Sequence, residues 1–536
     1  MSTVAVCAAV ALAPMAATAN PWYRLQTEHF TVYSNFEPSL SKFVITRLEA
    51  YDEVLHRPEV GAPAIDDAAA KPRMVVYIPK NLDDFHLVTP DWQARALEQI
   101  GQRGQSSPLT TWSARRECAD GAADYDSHDV PVKQGQPDDI NPYDLSSMYG
   151  TYVQDYLARA YTDIMPHWYL HGLSNSLSSI SMTGRKVFMP ATAYDSGRLA
   201  TTVQWVPFGD ILRDDYDFER LTINTIPELD HYVIAHRIFL SQADILSDYV
   251  RQVPARRDMM TAYVQDMNGG ADPVTAFESR FGIKMADLPA ALKPLVYDRK
   301  PFLTFSLPDK ADPAIEMTQL PASADDLLIL KSGLETCPLD SDKAYLLKTV
   351  RSRAAKYPGD AFAQRVLERA EITLGDPATV QAELEKQVTD APQDAEARYL
   401  LGRLYYAMAT SPADGYMAKA RDALAHAYKL DPTSAPTLYY LSLAQDDLGA
   451  VPNATAVNAA VEASNLMPLT RAYSFRAARV LVESGRGSDA AAMLVPIAPY
   501  SLQARQAIVA IQGGKAVDDV LKTMAPPQPV AVKGAD

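Results

Sequence analysis

Leu401-Gly402-Arg403-Leu404-Tyr405-Tyr406, then an insertion at Thr410–Tyr416, then Ala420-Arg421-Asp422-Ala423-Leu424-Ala425-His426-Ala427 closing on Asp431-Pro432, is the stretch that decides the fold. Apolar residues recur at three- and four-residue steps in both runs, the spacing of a helix with one buried face. Small residues at Gly402, Ala420 and Ala427 let two such helices cross closely, and proline ends the pair. The same punctuation recurs at Pro358, Pro392, Pro432 and Pro468, at steps of 34, 40 and 36 residues. A fixed period of that length marks stacked helix pairs that bury one continuous core.

The positions Leu401-Gly402, Tyr405, Ala420, Leu424, Ala427 and Pro432 resemble those of a tetratricopeptide repeat. Leu441-Ser442, Ala456, Ala460, Ala463 and Pro468 fill a second unit; Ala477, Ala478, Leu481, Ala490, Leu494 and Ile497 fill a third. Leu367, Leu384 and Pro392 fit one more upstream, so three to four repeats are expected within 341–515. The resemblance implies a concave groove lined by the first helix of each pair. Its register places Arg365, Arg369, Tyr399, Arg403, Tyr406, Tyr439, Phe475 and Arg479 there. Arginine and aromatic side chains concentrate binding energy, and arginine pairs bidentately with carboxylates. The expected ligand is an acidic or C-terminal peptide of a protein partner in the cell envelope. The tail, 516–536 with Pro526-Pro527-Gln528-Pro529, is expected to be disordered.

Composition narrows the classes. The 536 residues carry 50 Lys and Arg against 66 Asp and Glu, a net charge of −16, with no basic run to displace phosphate counterions. Nucleic acid and anionic membrane surfaces are therefore excluded as partners. Three cysteines (Cys7, Cys118, Cys337) without a CxxC spacing exclude a zinc ribbon or a disulfide scaffold, and leave open a pairing of Cys118 with Cys337. Val4 to Ala17 is apolar and leads to Ala17-Thr18-Ala19, an export signal over 1–19 that predicts a periplasmic or secreted chain, although no Lys or Arg precedes it. No transmembrane segment is expected, since the run is shorter than the roughly 20 residues a span takes.

The first 300 residues read as an α+β domain. His29-Phe30-Thr31-Val32-Tyr33-Ser34, which alternates, and Met74-Val75-Val76-Tyr77-Ile78 are strands. Helical spacing covers Pro38–His56, Tyr149–Ile164, the run after Pro166, and His231–Tyr249. Strands first and helices afterwards suit an α+β domain, here spanning 20–300, followed by a linker over 301–340 and the all-α solenoid.

Trp22-Tyr23-Arg24-Leu25-Gln26-Thr27-Glu28-His29-Phe30-Thr31-Val32-Tyr33-Ser34-Asn35, a long helix and Met74–Ile78 together resemble the opening of gluzincin-like (thermolysin-type) zinc peptidase domains. Pro166-His167-Trp168-Tyr169-Leu170-His171-Gly172-Leu173 resembles that family's P-x-W-x-x-E-G helix. The resemblance implies an H-E-x-x-H helix just upstream, where this chain has Gln154-Asp155-Tyr156-Leu157-Ala158. Gln154 and Ala158 then occupy the histidine positions, Asp155 the general base and His171 the third ligand. An amide binds Zn²⁺ poorly and a methyl not at all, whereas a catalytic zinc takes three protein ligands and a water. Without them no bound water is acidified for hydrolysis. The motif is degenerate, and no metal or other cofactor is expected.

Other histidines and acids offer no replacement. His167 and His171 stand four apart on one helix without an evident third ligand, and His231 and His236 stand five apart. Asp124, Asp126, His128 and Asp129 lack the glycine a calcium loop needs. The leading expectation is an exported, non-catalytic interaction scaffold with a pseudo-peptidase domain. The alternative is an active metallopeptidase or other hydrolase built around His171, His167 and Asp155.

Overall fold

The computed structural model describes residues 21–63, 65, 71–79, 108–109, 112–113, 130–131, 145–190, 205–214, 231–297, 301–335, 340–448 and 451–524. Residues 1–19, expected to be an export signal, the three cysteines, the Asp124–Asp129 cluster and the proline-rich end lie outside them.

Strands β1 (Tyr23–Gln26) and β2 (Phe30–Ser34) form an antiparallel pair, and helix α1 (Pro38–Leu55) carries the chain across to β3 (Met74–Ile78), parallel to β2. Parallel neighbours require such a crossover. Short strands β4 (Pro108–Leu109), β5 (Trp112–Ser113) and β6 (Val130–Pro131) follow, β5 pairing with β3 and β4 with β6. Helices α2 (Ser146–Ala160) and α3 (His167–Ser178) then lead to a hairpin of β7 (Ser181–Thr183) and β8 (Lys186–Pro190). Its turn starts at Gly184 with φ of 58°, a conformation that favours glycine. Helices α4 (Phe208–Arg213), α5 (His231–Arg251), α6 (Pro254–Asn268), α7 (Pro273–Phe281) and α8 (Leu288–Tyr297) complete the helical part of this region.

Within the stretch expected as a linker, 301–340, residues 301–335 carry two strands and a helix. Strand β9 (Pro301–Ser306) pairs with β8, and β10 (Glu316–Gln319) pairs with β1, so the larger sheet runs β10-β1-β2-β3-β5. Helix α9 (Ser323–Glu335) follows. Pro308, Pro313 and Pro321 fall between these elements, and Pro301 opens a strand, where its missing N–H costs no ladder bond.

The sheet is buried on both faces. Phe30, Val32, Val76 and Ile78 pack under α1, α2 and α3 in the large N-terminal core. Trp22, Val75 and Tyr77 face the other way and pack on α9, α10 (Asp340–Ala354) and α11 (Ala361–Leu374). The helical array therefore grows out of the sheet's second face. It continues as α12 (Gln381–Asp390), α13 (Ala395–Met408), α14 (Tyr416–Leu430), α15 (Ala435–Leu443), α16 (Ala454–Leu466), α17 (Arg471–Glu483), α18 (Gly487–Leu494), α19 (Leu502–Gln512) and α20 (Val517–Met524).

From α9 to α20 the described residues hold six helix pairs; four of them, from α11/α12 to α17/α18, lie wholly within 341–515, and α9/α10 and α19/α20 flank them. Two residues after Pro358 and Pro392, Asp360 and Asp394 cap the next helix by accepting from the N–H of Ala363 and Ala397. In the pair α13–α14, Gly402 lets α13 lie against Leu424 of α14. Residues 517–524, expected to belong to a disordered tail, are helical instead, and α20 buries Val520.

Candidate functional site

Helix α2 buries Tyr149, Val153, Tyr156 and Leu157, and so turns Gln154, Asp155 and Ala158 toward partly exposed ground. Helix α3 buries Trp168, Leu173 and Leu177, and crosses α5 so closely that a Cβ on Gly172 would overlap the Ala243 carbonyl and the Ser247 side chain. That contact accounts for glycine in Trp168-Tyr169-Leu170-His171-Gly172.

The four motif positions divide between two places. Asp155 accepts from the guanidinium of Arg159, one helical turn on, with Nε 2.8 Å from Oδ2. Arg159 also donates from Nη1 to the Asn465 carbonyl at 2.9 Å and from Nη2 to the Leu466 carbonyl at 2.6 Å, both in the last turn of α16. The carboxylate in the general-base register is thus part of a joint between the N-terminal region and the array. His171 instead faces α5, with Nε2 3.9 Å from Oδ1 of the fully buried Asp244. Ala158 is half-buried on α2. Among the described residues no three His, Cys, Asp or Glu side chains are grouped to hold a metal ion.

Around His171 lies a polar interior that the sequence reading missed. Asn175 donates to Asp244, Ser176 donates to Asp248 at 2.6 Å, and Arg251 donates to Asp248 at 2.8 Å. Ser241, Asp244, Asp248 and Arg251 share one face of α5 and are all buried. Their spacing is visible in the sequence but has the look of a solvated face. His167 turns elsewhere: its Nδ1 lies 3.0 Å from Oδ1 of Asp214, whose other oxygen accepts from Arg505 of α19 at 3.3 Å. Burial pushes the Asp214 carboxyl up, but the His167 hydrogen bond and Arg505 outweigh it and hold it below its ordinary value. Asp214 has φ of 55°, in the left-handed region. His231 and His236 lie on α5.

The eight groove residues fall on the first helices of their pairs, as the register required, but they form a ladder bonded within the array. Arg365 reaches Asp394 at 2.8 Å; Arg369 reaches Glu396 at 2.9 Å and Glu335 at 3.6 Å. Tyr399 is buried beneath Arg369 and Arg403, whose guanidinium carbons lie 5.9 and 5.8 Å from its ring. Arg403 also stacks over Tyr440 at 4.8 Å, and Tyr406 and Tyr439 meet the edges of that same ring. Phe475 takes Arg471 over its ring, and the exposed Arg479 pairs with Glu483 on its own helix. Burial raises the Glu396 carboxyl, yet Lys331, Arg369 and Arg365 together hold it at about 2. Arg476, absent from the expected set, anchors Asp446 at 2.6 Å.

Beside the Arg159 joint, a cavity of about 300 Å³ opens between the sheet and the repeat turns. One wall is Gln26, Thr31 and Met74; another is Thr151, Asp155 and Arg159 of α2. The facing wall is the turns at Asp431–Pro436 and Leu466–Thr470.

No known protein-family profile matches this chain, and no curated protein matches it. Among solved structures, a thermophilic tetratricopeptide-repeat protein from Thermus thermophilus aligns with 36% of this chain and 99% of its own, at 20% identity and a TM-score of 0.30. That likeness is too low to carry an argument. The solenoid-like character of the C-terminal region rests on its own paired helices, proline punctuation and caps. No helix among the described residues is long and apolar enough to cross a membrane.

Proposed function

We infer that this chain is an exported, non-catalytic scaffold: a peptidase-like domain without zinc ligands, joined to tetratricopeptide-like repeats that engage a protein or peptide partner in the cell envelope. One observation carries the reading. The carboxylate in the general-base register, Asp155, is held by Arg159, and Arg159 is itself spent on two carbonyls of the array. A general base must be free to reach the proton it takes, and both oxygens of Asp155 already accept from Arg159, at 2.8 and 3.3 Å. The amide of Gln154 and the methyl of Ala158 supply no metal bond beside it.

The test is elemental analysis of protein purified without added metal, alongside hydrolysis of an unstructured protein such as casein. The reading expects zinc far below one equivalent and no cleavage above buffer. One equivalent of zinc that disappears in His171→Ala would overturn it and restore the hydrolase alternative.

A further inference from the structure

The geometry points to the cavity between the sheet and the repeat turns as a binding site for a short, uncharged, extended peptide segment. This deepens the scaffold reading, on which it rests, by placing a partner's contact at the joint rather than in the arginine ladder.

The first argument is charge. Four ionic side chains reach this cavity, and each has a partner within the protein. Arg73 donates from Nε to the Thr27 carbonyl at 2.6 Å. Arg159 and Asp155 hold one another, and Asp431 accepts from the N–H and hydroxyl of Thr433 at 3.0 and 2.8 Å. Two cations and two anions leave no net charge for an ionic ligand to neutralise, and burying an unmatched charge there is costly.

The second argument is the remaining lining. Thr31, Thr151 and Thr470 bring hydroxyls from three sides, Thr433 can only accept because its hydroxyl already donates to Asp431, and Met74, Leu466 and Met467 bring apolar surface. Hydroxyls both donate and accept, which suits the alternating N–H and C=O groups of a main chain, while methionine adapts to varied apolar side chains. A sugar would call for an aromatic face, and the ring of Tyr33 is already stacked on Tyr77 with centroids 5.1 Å apart. At about 300 Å³ the space is at the small end of ligand sites and holds about two to three residues.

The position gives the site a consequence. A ligand there touches α2 on one side and the Leu466–Thr470 turn on the other, so it bridges the same gap as Arg159. Whatever free energy it gains from touching both sides must also tighten the joint.

The test is calorimetric titration of the full chain with the capped tripeptide N-acetyl-alanyl-leucyl-alanine amide. Its capped aspartyl-leucyl-aspartate analogue and N,N′-diacetylchitobiose are run alongside. The neutral peptide is expected to bind with a dissociation constant on the order of 0.1 mM, the range for a ligand of this size. Thr151→Trp and Gln26→Trp fill the cavity from different walls, and each should weaken binding by about tenfold or more. Circular dichroism identifies any variant that fails to fold, in which case the other decides. Absence of binding by the neutral peptide, equal binding by a folded filled variant, or tighter binding of the acidic peptide or the sugar overturns the proposal. None of these results bears on the zinc content that tests the scaffold reading.

Discussion

Replacing Arg159 by methionine isolates the joint between the two regions. The guanidinium is only 14% exposed and donates to the last two carbonyls of α16, which have no partner further along their own helix. Two hydrogen bonds from a charged donor, one of them largely solvent-facing, contribute together about 2 kcal/mol. A cation at a helix C-terminus adds about 0.5 kcal/mol. The Asp155 pair is a different matter: Asp155 is 44% exposed, and an i,i+4 pair in that setting is worth about 0.3–0.5 kcal/mol. Arg159→Met should therefore lower the free energy of local opening by about 2–3 kcal/mol, and Asp155→Asn by less than about 0.5. Hydrogen exchange read on fragments covering 454–470 measures this directly. The first variant should speed exchange there by roughly 30- to 150-fold, the second by less than about threefold. Equal acceleration by the two variants would mean that Asp155 anchors the joint and only steers Arg159 in passing. No acceleration by Arg159→Met would remove the joint, and with it the physical basis for an inert Asp155.

Two other outcomes follow from the packing and the charges. A Cβ on Gly402 would stand 2.8 Å from Cδ2 of Leu424 and 3.3 Å from its backbone nitrogen; Gly402→Ala should destabilise by about 1–2 kcal/mol despite alanine's better helix propensity, as read by urea unfolding. A gain in stability would show that the α13–α14 crossing has room for a methyl group. His29 lies 2.8 Å from Glu49, whose hydrogen bond raises the imidazole above its ordinary value; burial would raise Glu49, but its bonds to His29 and Thr27 bring it below. The raised histidine contributes stability that is complete below its unfolded pKa and is lost as pH rises through the folded one. The lowered carboxylate contributes stability present above its unfolded pKa and lost as pH falls through the folded one. Melting temperatures of the wild type and His29→Gln should differ most between those two limits and converge in alkali; a gap independent of pH would assign His29 a packing role alone.

The local signals were legible and the non-local ones were not. Phe30–Ser34 alternates as a strand should, Met74–Ile78 is a short apolar run rich in valine, and the step from Pro358 or Pro392 to a capping aspartate marks where a repeat begins. By contrast β10 pairs with β1 across nearly the whole N-terminal region, and nothing within Glu316–Gln319 announces a partner that far away. Three prolines there suggest a connection until the pairing places them between elements. The arginine ladder shows the same limit from another side. The register located Arg365, Arg369 and Arg403, but their neighbours Asp394, Glu396 and Tyr440 lie one repeat further on. Whether an arginine faces a ligand or a carboxylate of the next helix depends on stacking, which residue type alone does not encode.

That internal neutralisation bears on what the array can recognise. A solenoid whose inner arginines were exposed and unpaired would draw acidic segments by long-range attraction, and the chain's net charge of −16 would only sharpen the contrast. Here Arg365, Arg369 and Arg476 each meet a carboxylate of a neighbouring pair, so the charges stitch successive repeats together. The array is also held to the N-terminal region at separated points: the shared core of Trp22, Val75 and Tyr77 with α9–α11, Arg159 on the end of α16, and Arg505 with Tyr500 on Asp214 and His167. Solenoids flex because each repeat touches only its neighbours. Contacts spread from α9 to α19 work against that freedom, and an incoming acidic ligand would have to displace carboxylates already seated at 2.6–2.9 Å. A neutral segment entering the cavity at the Arg159 joint displaces none of them, which favours recognition at the joint over recognition along the ladder.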